Sequence, residues 1–345
     1  MIDASFLARI RWTEVVVEME AVERALLPAF AGSTLRGALG RVLRPGLCDA
    51  AEKCAETCAH PTHCRYYSLF EQSRSQAGTG SNIPKPLILG APVPDELEVL
   101  AAGGAVEWPY EQGPPAPGEL LPTLRNETEL LVEAGARLRF ELGLVGEIGG
   151  VIPALTEVLA CYGIGAGGGR LKLRKVWDAG FGGRLLYDSR FPHAKAQPAM
   201  ERTIEGCLRT EAVKRLRIVF VTPTILKIGK GTCFDPETIG RECLKHCLVR
   251  TVQVHNALGS GVTRLPWLDL PEMGLRVVAH RLFHYMLPRR SFRQGQWMNF
   301  DGVVGYVDLA GDLTPAMPFV RAAEVLHFGQ KATFGLGKIR AFALD

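Results

Sequence analysis

Four cysteines stand close together, Cys48, Cys54, Cys58 and Cys64, in the spacing C-x5-C-x3-C-x5-C, with His60 and His63 inside the cluster. Thiolates this close can wrap one tetrahedral metal ion. The chemistry open to them is a structural zinc, an iron–sulfur cluster or free thiols. Four thiolates would fill a zinc and leave no position for a reacting water, so a catalytic metal is not expected. The other five cysteines are scattered, and an odd total of nine argues against a disulfide framework.

A second chemistry lies in the bases. Net charge is only +4, but nine acids and one base fall between Asp95 and Glu133, which leaves +12 on the rest. Arg170 to Arg190 holds six bases and two acids, with Arg170 and Lys172 leading. Arg276 to Arg293 holds five arginines (Arg276, Arg281, Arg289, Arg290, Arg293), two histidines and no acid. Arginine clustered without acids is what a phosphate-binding surface needs. The plainer reading of such a run is a solvated strand face.

Two glycine loops complete the set: Gly163-Ile-Gly165-Ala-Gly-Gly-Gly169 and His327-Phe-Gly329-Gln-Lys-Ala-Thr-Phe-Gly335-Leu-Gly337. Both follow a predicted helix and precede a predicted strand. A dinucleotide fingerprint needs the reverse order, and a phosphate-binding lysine loop needs a GKS or GKT ending that is absent here. A nucleotide cofactor is therefore not expected. Glycines after a helix still let backbone amides approach a polyanion, with Lys331 and Lys338 adding charge beside the second loop. Equally, Gly163 and Gly165 serve to end their helix. Of the histidines, His327 abuts the second loop and is a candidate to face a phosphate. His280 and His284 share one face of a strand and suit RNA contact or local packing. His246 and His255 read as structural.

The elements that must position these groups come in a repeated order. Phe6–Glu18, Lys85–Pro92, Arg137–Val145 and Arg170–Val176 read as strands from their alternation and β-branched runs. Ser33 or Thr34 is expected to cap a helix through about Leu43, and Ile152–Tyr162 forms a second. Residues 109–122 are too rich in proline and glycine for regular structure. After a linker at Arg190–Glu201 the order returns. Strands are expected at Arg215–Thr222, Arg276–Tyr285, Asn299–Leu309 and Lys338–Leu344, with helices at Pro236–Leu258 and Pro315–Val325. Each half reads as a β-α-β-β-α-β unit, a repeat of organisation rather than of residues.

The second glycine loop resembles the C-terminal loop of the RAMP superfamily of CRISPR proteins. Arg289-Arg-Ser-Phe-Arg-Gln294, Gly302-Val-Val-Gly305 and Gly311-Asp-Leu313 resemble its repeat-processing endoribonucleases, the Cas six family. Leu35-Arg-Gly-Ala-Leu-Gly40, Cys64-Arg-Tyr-Tyr-Ser-Leu-Phe70 and Val221-Thr-Pro-Thr224 are similar to one branch of it. The resemblance implies an α+β fold of two tandem ferredoxin-like (RRM-like) β-α-β-β-α-β domains. The expected domains are 1–195, with a Cys-rich insertion at about 46–75 and an acidic Pro/Gly insertion at about 93–133, and 196–345, with the glycine loop.

It further implies a metal-independent cut in the repeats of precursor CRISPR RNA. The 2′-OH attacks the adjacent phosphate, leaving 2′,3′-cyclic phosphate and 5′-OH ends, and the product is retained. The family often places a catalytic histidine at the first helix, where this chain carries Arg36. Arginine stays protonated, so it can steady the phosphorane but not act as base. The expected catalytic residues are Arg36, Ser33 and His327. Expected RNA contacts are Arg276, Arg281, Arg289, Arg290, Arg293, Gln294, Gly329, Lys331, Gly335, Gly337, Lys338, Arg170 and Lys172. The expected metal ligands are Cys48, Cys54, Cys58 and Cys64. Two other readings are a non-catalytic RAMP subunit of a CRISPR effector complex and a zinc-stabilised regulatory protein unrelated to CRISPR.

Composition fits these readings. The chain has 345 residues, 47% hydrophobic and 22% charged, as a globular protein of about two domains should. No run nears the ~20 apolar residues of a membrane span. Charges at Asp3, Arg9 and Arg11 argue against a signal peptide, and a cytoplasmic location is expected.

Overall fold

The computed structural model describes residues 3–28, 30–48, 64–71, 84–91, 121–125, 129–180, 183–208, 212–229, 231–259, 261–264, 273–291 and 295–344. It is a mixed α/β fold, with helices packed on two antiparallel sheets.

Strand β1 (Arg11–Ala21) is driven by its β-branched run and by alternation that buries Val15, Val17, Met19 and Ala21. It begins later than Phe6. Residues Ser5–Arg9 instead form a 3-10 turn. A strand would send Phe6 and Leu7 to opposite faces, whereas the turn buries both.

Helix α1 (Gly32–Leu47) buries Leu35, Ala38, Leu39, Leu43 and Leu47, spacing that keeps one stripe inward. Its N-cap is Ala31 with no side-chain bond, so Ser33 falls inside the first turn rather than capping. Then come β2 (Leu87–Gly90), β3 (Arg137–Val145), α2 (Ile152–Tyr162) and β4 (Gly169–Asp178). They form a sheet in the order β2-β3-β1-β4, with Ile164–Ala166 beyond β4.

The second half holds β5 (Arg215–Thr224), α3 (Pro236–Leu258), β6 (Arg276–Met286), the hairpin β7 (Pro288–Ser291) and β8 (Gln296–Asn299), β9 (Gly302–Ala310), α4 (Met317–Leu326) and β10 (Ile339–Ala343). Its sheet runs β10-β5-β9-β6, with Thr123–Arg125 parallel to β6. Asp235 caps α3 by accepting from the Thr238 amide at 2.8 Å. The expected strand from Asn299 divides into β8 and β9, and Leu287 N–H donates to Asp301 at the corner.

The halves share their cores. Phe6, Leu7, Ile10, Ile88 and Val145 of the first half pack with the α3 and α4 residues of the second. A smaller apolar cluster joins Phe30 and Ala91 to Val221, Tyr285, Phe300 and Leu336. The second glycine loop sits over this seam.

Candidate nucleic-acid interface

The second glycine loop docks directly on α1. A Cβ at Gly32 would lie 2.0 Å from the Phe334 carbonyl oxygen, and one at Gly335 would lie 3.1 Å from Leu89 O. Only glycine permits the first approach. The seam brings together side chains from three distant stretches. The Arg36 guanidinium lies 4.6 Å from the Phe334 ring centre and 5.4 Å from that of Phe70. It also donates to Phe70 O at 3.4 Å. Arg289, on β7, lies 4.5 Å from the same Phe334 ring and 5.4 Å from Phe300. Lys331 Nζ lies 5.5 Å from Phe300.

Burial and then Arg36 pull the Arg289 guanidinium below its ordinary value. Partial burial, then Lys227, Arg289 and Arg36, do the same to Lys331. Cations set on aromatic rings suit a phosphodiester and the bases beside it. Arg36 and Ser33 are both half-buried, one turn apart on α1.

Other predicted contacts fall elsewhere. Arg276 is exposed at the far end of β6, roughly 30 Å from the β7 hairpin at strand rise. Arg281 is buried and stacks over Phe283 at 5.4 Å. Lys338 does not stand free beside the loop. Its ammonium lies 2.6 Å from Glu141, an ion pair between the halves. Gly329 and Gly337 have φ of 75° and 77°, and a Cβ at Gly337 would meet Phe328 O at 1.8 Å. The Arg290 side chain, Arg293 and Gln294 lie outside the described residues.

The glycines of the first loop end a helix and turn the chain. Gly163 ends α2 at φ 61°, and Gly167 and Gly168 at 60° and 76° turn a tight hairpin into β4. The basic strand that follows has its own order. Glu18, Glu20 and Asp188 form a layer beneath outward cations. Arg139 and Arg137 reach Glu18 at 2.7 and 3.4 Å, Arg174 and Lys172 reach Glu20 at 2.6 and 3.2 Å, and Arg190 reaches Asp188 at 2.7 Å. Glu18 is 1% exposed and Arg139 64%, so the positive ends face solvent. Arg139 and Lys175 flank Trp177 at 5.2 and 5.7 Å. Arg170 is exposed and donates to Tyr162 O at 3.5 Å.

Comparison with known proteins adds a family to this geometry. Residues 10–199 match the model AF_1859_N, an N-terminal domain. Residues 218–339, which include β7, Phe300 and the whole glycine loop with Lys331 and Phe334, match the model for CRISPR-associated endoribonuclease Cas6. Residues 218–339 form a Cas6-family domain. A solved Cas6 product complex is 17% identical, with a TM-score of 0.50 over 96% of this chain and 100% of that one. Cas6 of Thermus thermophilus is 16% identical, with a TM-score of 0.48 over 96% and 99%. A chain of a partial Cas6-RT-Cas1–Cas2 complex is 12% identical, with a TM-score of 0.55 over 98% of this chain and 47% of that one. At such identity the likeness is one of fold. No curated protein matches the chain.

Within this fold His255, His280 and His327 are buried. His327, expected to face a phosphate, is 4% exposed, with Nδ1 3.2 Å from Leu336 O. It lies under the loop because the chain entering from α4 turns its ring into the seam. His280 and His284 do share a face, but it is the helix-covered one. His280 is buried, and His284 packs 4.1 Å from Phe234. His255 is buried against Phe6. Of the cysteine cluster, Cys48 and Cys64 are described and pack against the same core, and Cys54 and Cys58 lie outside the described residues. The Tyr67 amide donates to Cys64 Sγ at 3.3 Å. Among the described residues, no group of three or more His, Cys, Asp or Glu is arranged to hold a metal, and no helix is long and apolar enough to cross a membrane.

Sequence reasoning missed Phe70, Phe300 and Phe334 as platforms for the cations. Aromatic residues interleaved with Arg289 and Lys331 were the available signal.

Proposed function

We propose that this Cas6-family chain cuts precursor CRISPR RNA within its repeats without a catalytic metal, and holds the product. The carrying observation is the convergence of Arg36, Arg289 and Lys331 on Phe334 and Phe300, where the glycine loop meets α1. In the reaction the 2′-oxygen bonds to the adjacent phosphorus, its proton passes to a base, and the bond to the 5′-oxygen breaks as that oxygen is protonated. The products are a 2′,3′-cyclic phosphate and a 5′-OH. Arg36 supplies paired donors to the charge that builds on the phosphorane. Ser33, on the same face, orients the 2′-OH or a phosphate oxygen. Water serves as base in the absence of a histidine on α1.

The strand orders support reading the halves as two ferredoxin-like domains, 1–195 and 196–345. The outward cations above Glu18, Glu20 and Asp188, with Arg170 and Lys172, extend the track along single-stranded RNA, where guanidinium and aromatic planes can stack on bases. Cys48, Cys54, Cys58 and Cys64 hold one structural zinc that ties down the chain after α1. Arg36 in place of histidine also favours a second reading, a non-catalytic RNA-binding subunit. Labelled repeat RNA incubated in EDTA separates the two. Cyclic-phosphate ends, lost when the scissile nucleotide is 2′-deoxy, are expected. Binding without cleavage would leave the subunit reading.

A further inference from the structure

The second glycine loop begins at a strained residue. His327 has φ 49° and ψ 154°, a conformation that side-chain-bearing residues hold only where the surroundings over-determine it. Two groups outside the phosphate cluster do so. Arg250, on α3, is buried, and its Nε donates to His327 O at 3.0 Å and Leu326 O at 3.3 Å. Its second donor reaches Leu326 O at 3.1 Å. Burial pulls its guanidinium down to about 10, so it remains charged. A cation over the last carbonyls of α4 also meets the negative end of that helix. At the other end of the loop, His327 Nδ1 lies 3.2 Å from Leu336 O. A carbonyl oxygen only accepts, so Nδ1 carries the proton. The Phe328 amide closes the neck on Gly337 O at 2.9 Å.

We infer that Arg250 and His327 are positioning residues. Arg250 fixes the entrance of the loop, and the neutral His327 ring ties its exit. The loop then presents Lys331 and Phe334 to Arg36 and Arg289. This rests on reading that cluster as the phosphate site. It gives His327 a role other than acid or base. Burial, then Lys338, Arg250 and Arg340, hold the ring well below its ordinary value, which fits a ring that never needs a proton. The charged groups around it are Arg250 from α3, Glu324 on α4, and Lys338 and Arg340 from the final strand. The ring also lines a cavity of about 130 Å³ between the halves, which Glu14 and Glu141 enter from the first.

Asparagine and glutamine separate the two roles. An Asn amide nitrogen overlies Nδ1 and a Gln nitrogen overlies Nε2. In single-turnover cleavage of repeat RNA, His327→Asn should stay within about threefold of wild type with the same pH profile. His327→Gln, His327→Leu and Arg250→Met should each fall at least about tenfold, with Arg250→Lys between. If His327→Asn falls as far as His327→Leu, or flattens the pH profile, the ring is catalytic and the inference is wrong. If His327→Gln keeps full activity, the tether is unnecessary and it is wrong again. Hydrogen exchange at the Phe328 and Gly337 amides gives a readout that does not need cleavage. Both should stay protected in His327→Asn and exchange at least about tenfold faster in His327→Gln and Arg250→Lys. Unchanged exchange in those two would overturn the inference. A wild type that cuts no RNA but shows this pattern would sink the proposed activity alone.

Discussion

Two guanidinium groups share the ring of Phe334, at 4.6 and 4.5 Å. The ring's electron-rich faces draw Arg36 and Arg289 to one platform. Each such contact is worth about 0.5–2 kcal/mol, depending on how dry it is. Phe334→Leu keeps apolar bulk and removes that attraction. Cleavage at saturating enzyme should fall roughly tenfold, the rate equivalent of about 1.4 kcal/mol, while Phe334→Tyr should come within about threefold of wild type. Equal rates for Leu and Phe would show that the ring serves only as packing. Arg36 was legible as a charge in an unusual place, and Lys331 as a charge in a glycine loop. Their partnership with Arg289 was not. Residues 36, 289 and 331 meet only because α1, β7 and the loop converge on one seam, and no local spacing encodes that.

The long elements carried their own signatures. Arg137–Val145, Ile152–Tyr162 and Pro236–Leu258 fold over the spans that alternation and helical spacing predict. One expectation failed: Phe6 and Leu7 look like a strand start until the second half supplies a core that takes both. The first glycine run left a helix end and an approach to a polyanion both open; Gly163 does end α2, and Gly167 at φ 60° turns against Leu26 O. The β1–β4 face has a pH signature. Hydrogen bonds from Arg174 hold Glu20 down to about 2 against an ordinary 4.5. A carboxylate lowered on folding contributes stability above its ordinary value and loses it as pH falls toward 2. Urea midpoints should therefore decline below about pH 4.5, and Arg174→Met should shallow that decline. Identical slopes in both proteins would remove this pair as a cause. The β7 hairpin has a salt signature. Replacing Arg289, Arg290 and Arg293 by alanine should weaken RNA binding and lower the salt slope by about 2, near 0.7 per phosphate contact on a single strand. Unchanged affinity at two salt concentrations would count against a phosphate role for the hairpin.

Across the whole molecule, the cluster of Arg36, Arg289 and Lys331 forms where the halves are joined. The Lys338–Glu141 pair, the shared core around Phe6 and Ile88, and Gly335 against Leu89 set the glycine loop on α1. The cysteine cluster lies just past α1, with Cys48 at its C-cap. A zinc there would hold the far end of the helix that carries Arg36. Purified protein should contain about one zinc per chain, and its removal should lower thermal stability. Metal-free protein from a strictly reducing preparation would show that the site does not form. The Arg36 cluster itself is tested most directly by single-turnover cleavage of repeat RNA in EDTA, with Arg36→Ala at saturating concentration. Losing a contact made to transition-state charge costs about 3 kcal/mol, so the rate should drop about a hundredfold or more while RNA affinity changes little. A rate within about twofold of wild type would contradict the assignment and remove Arg36 from the site of cleavage.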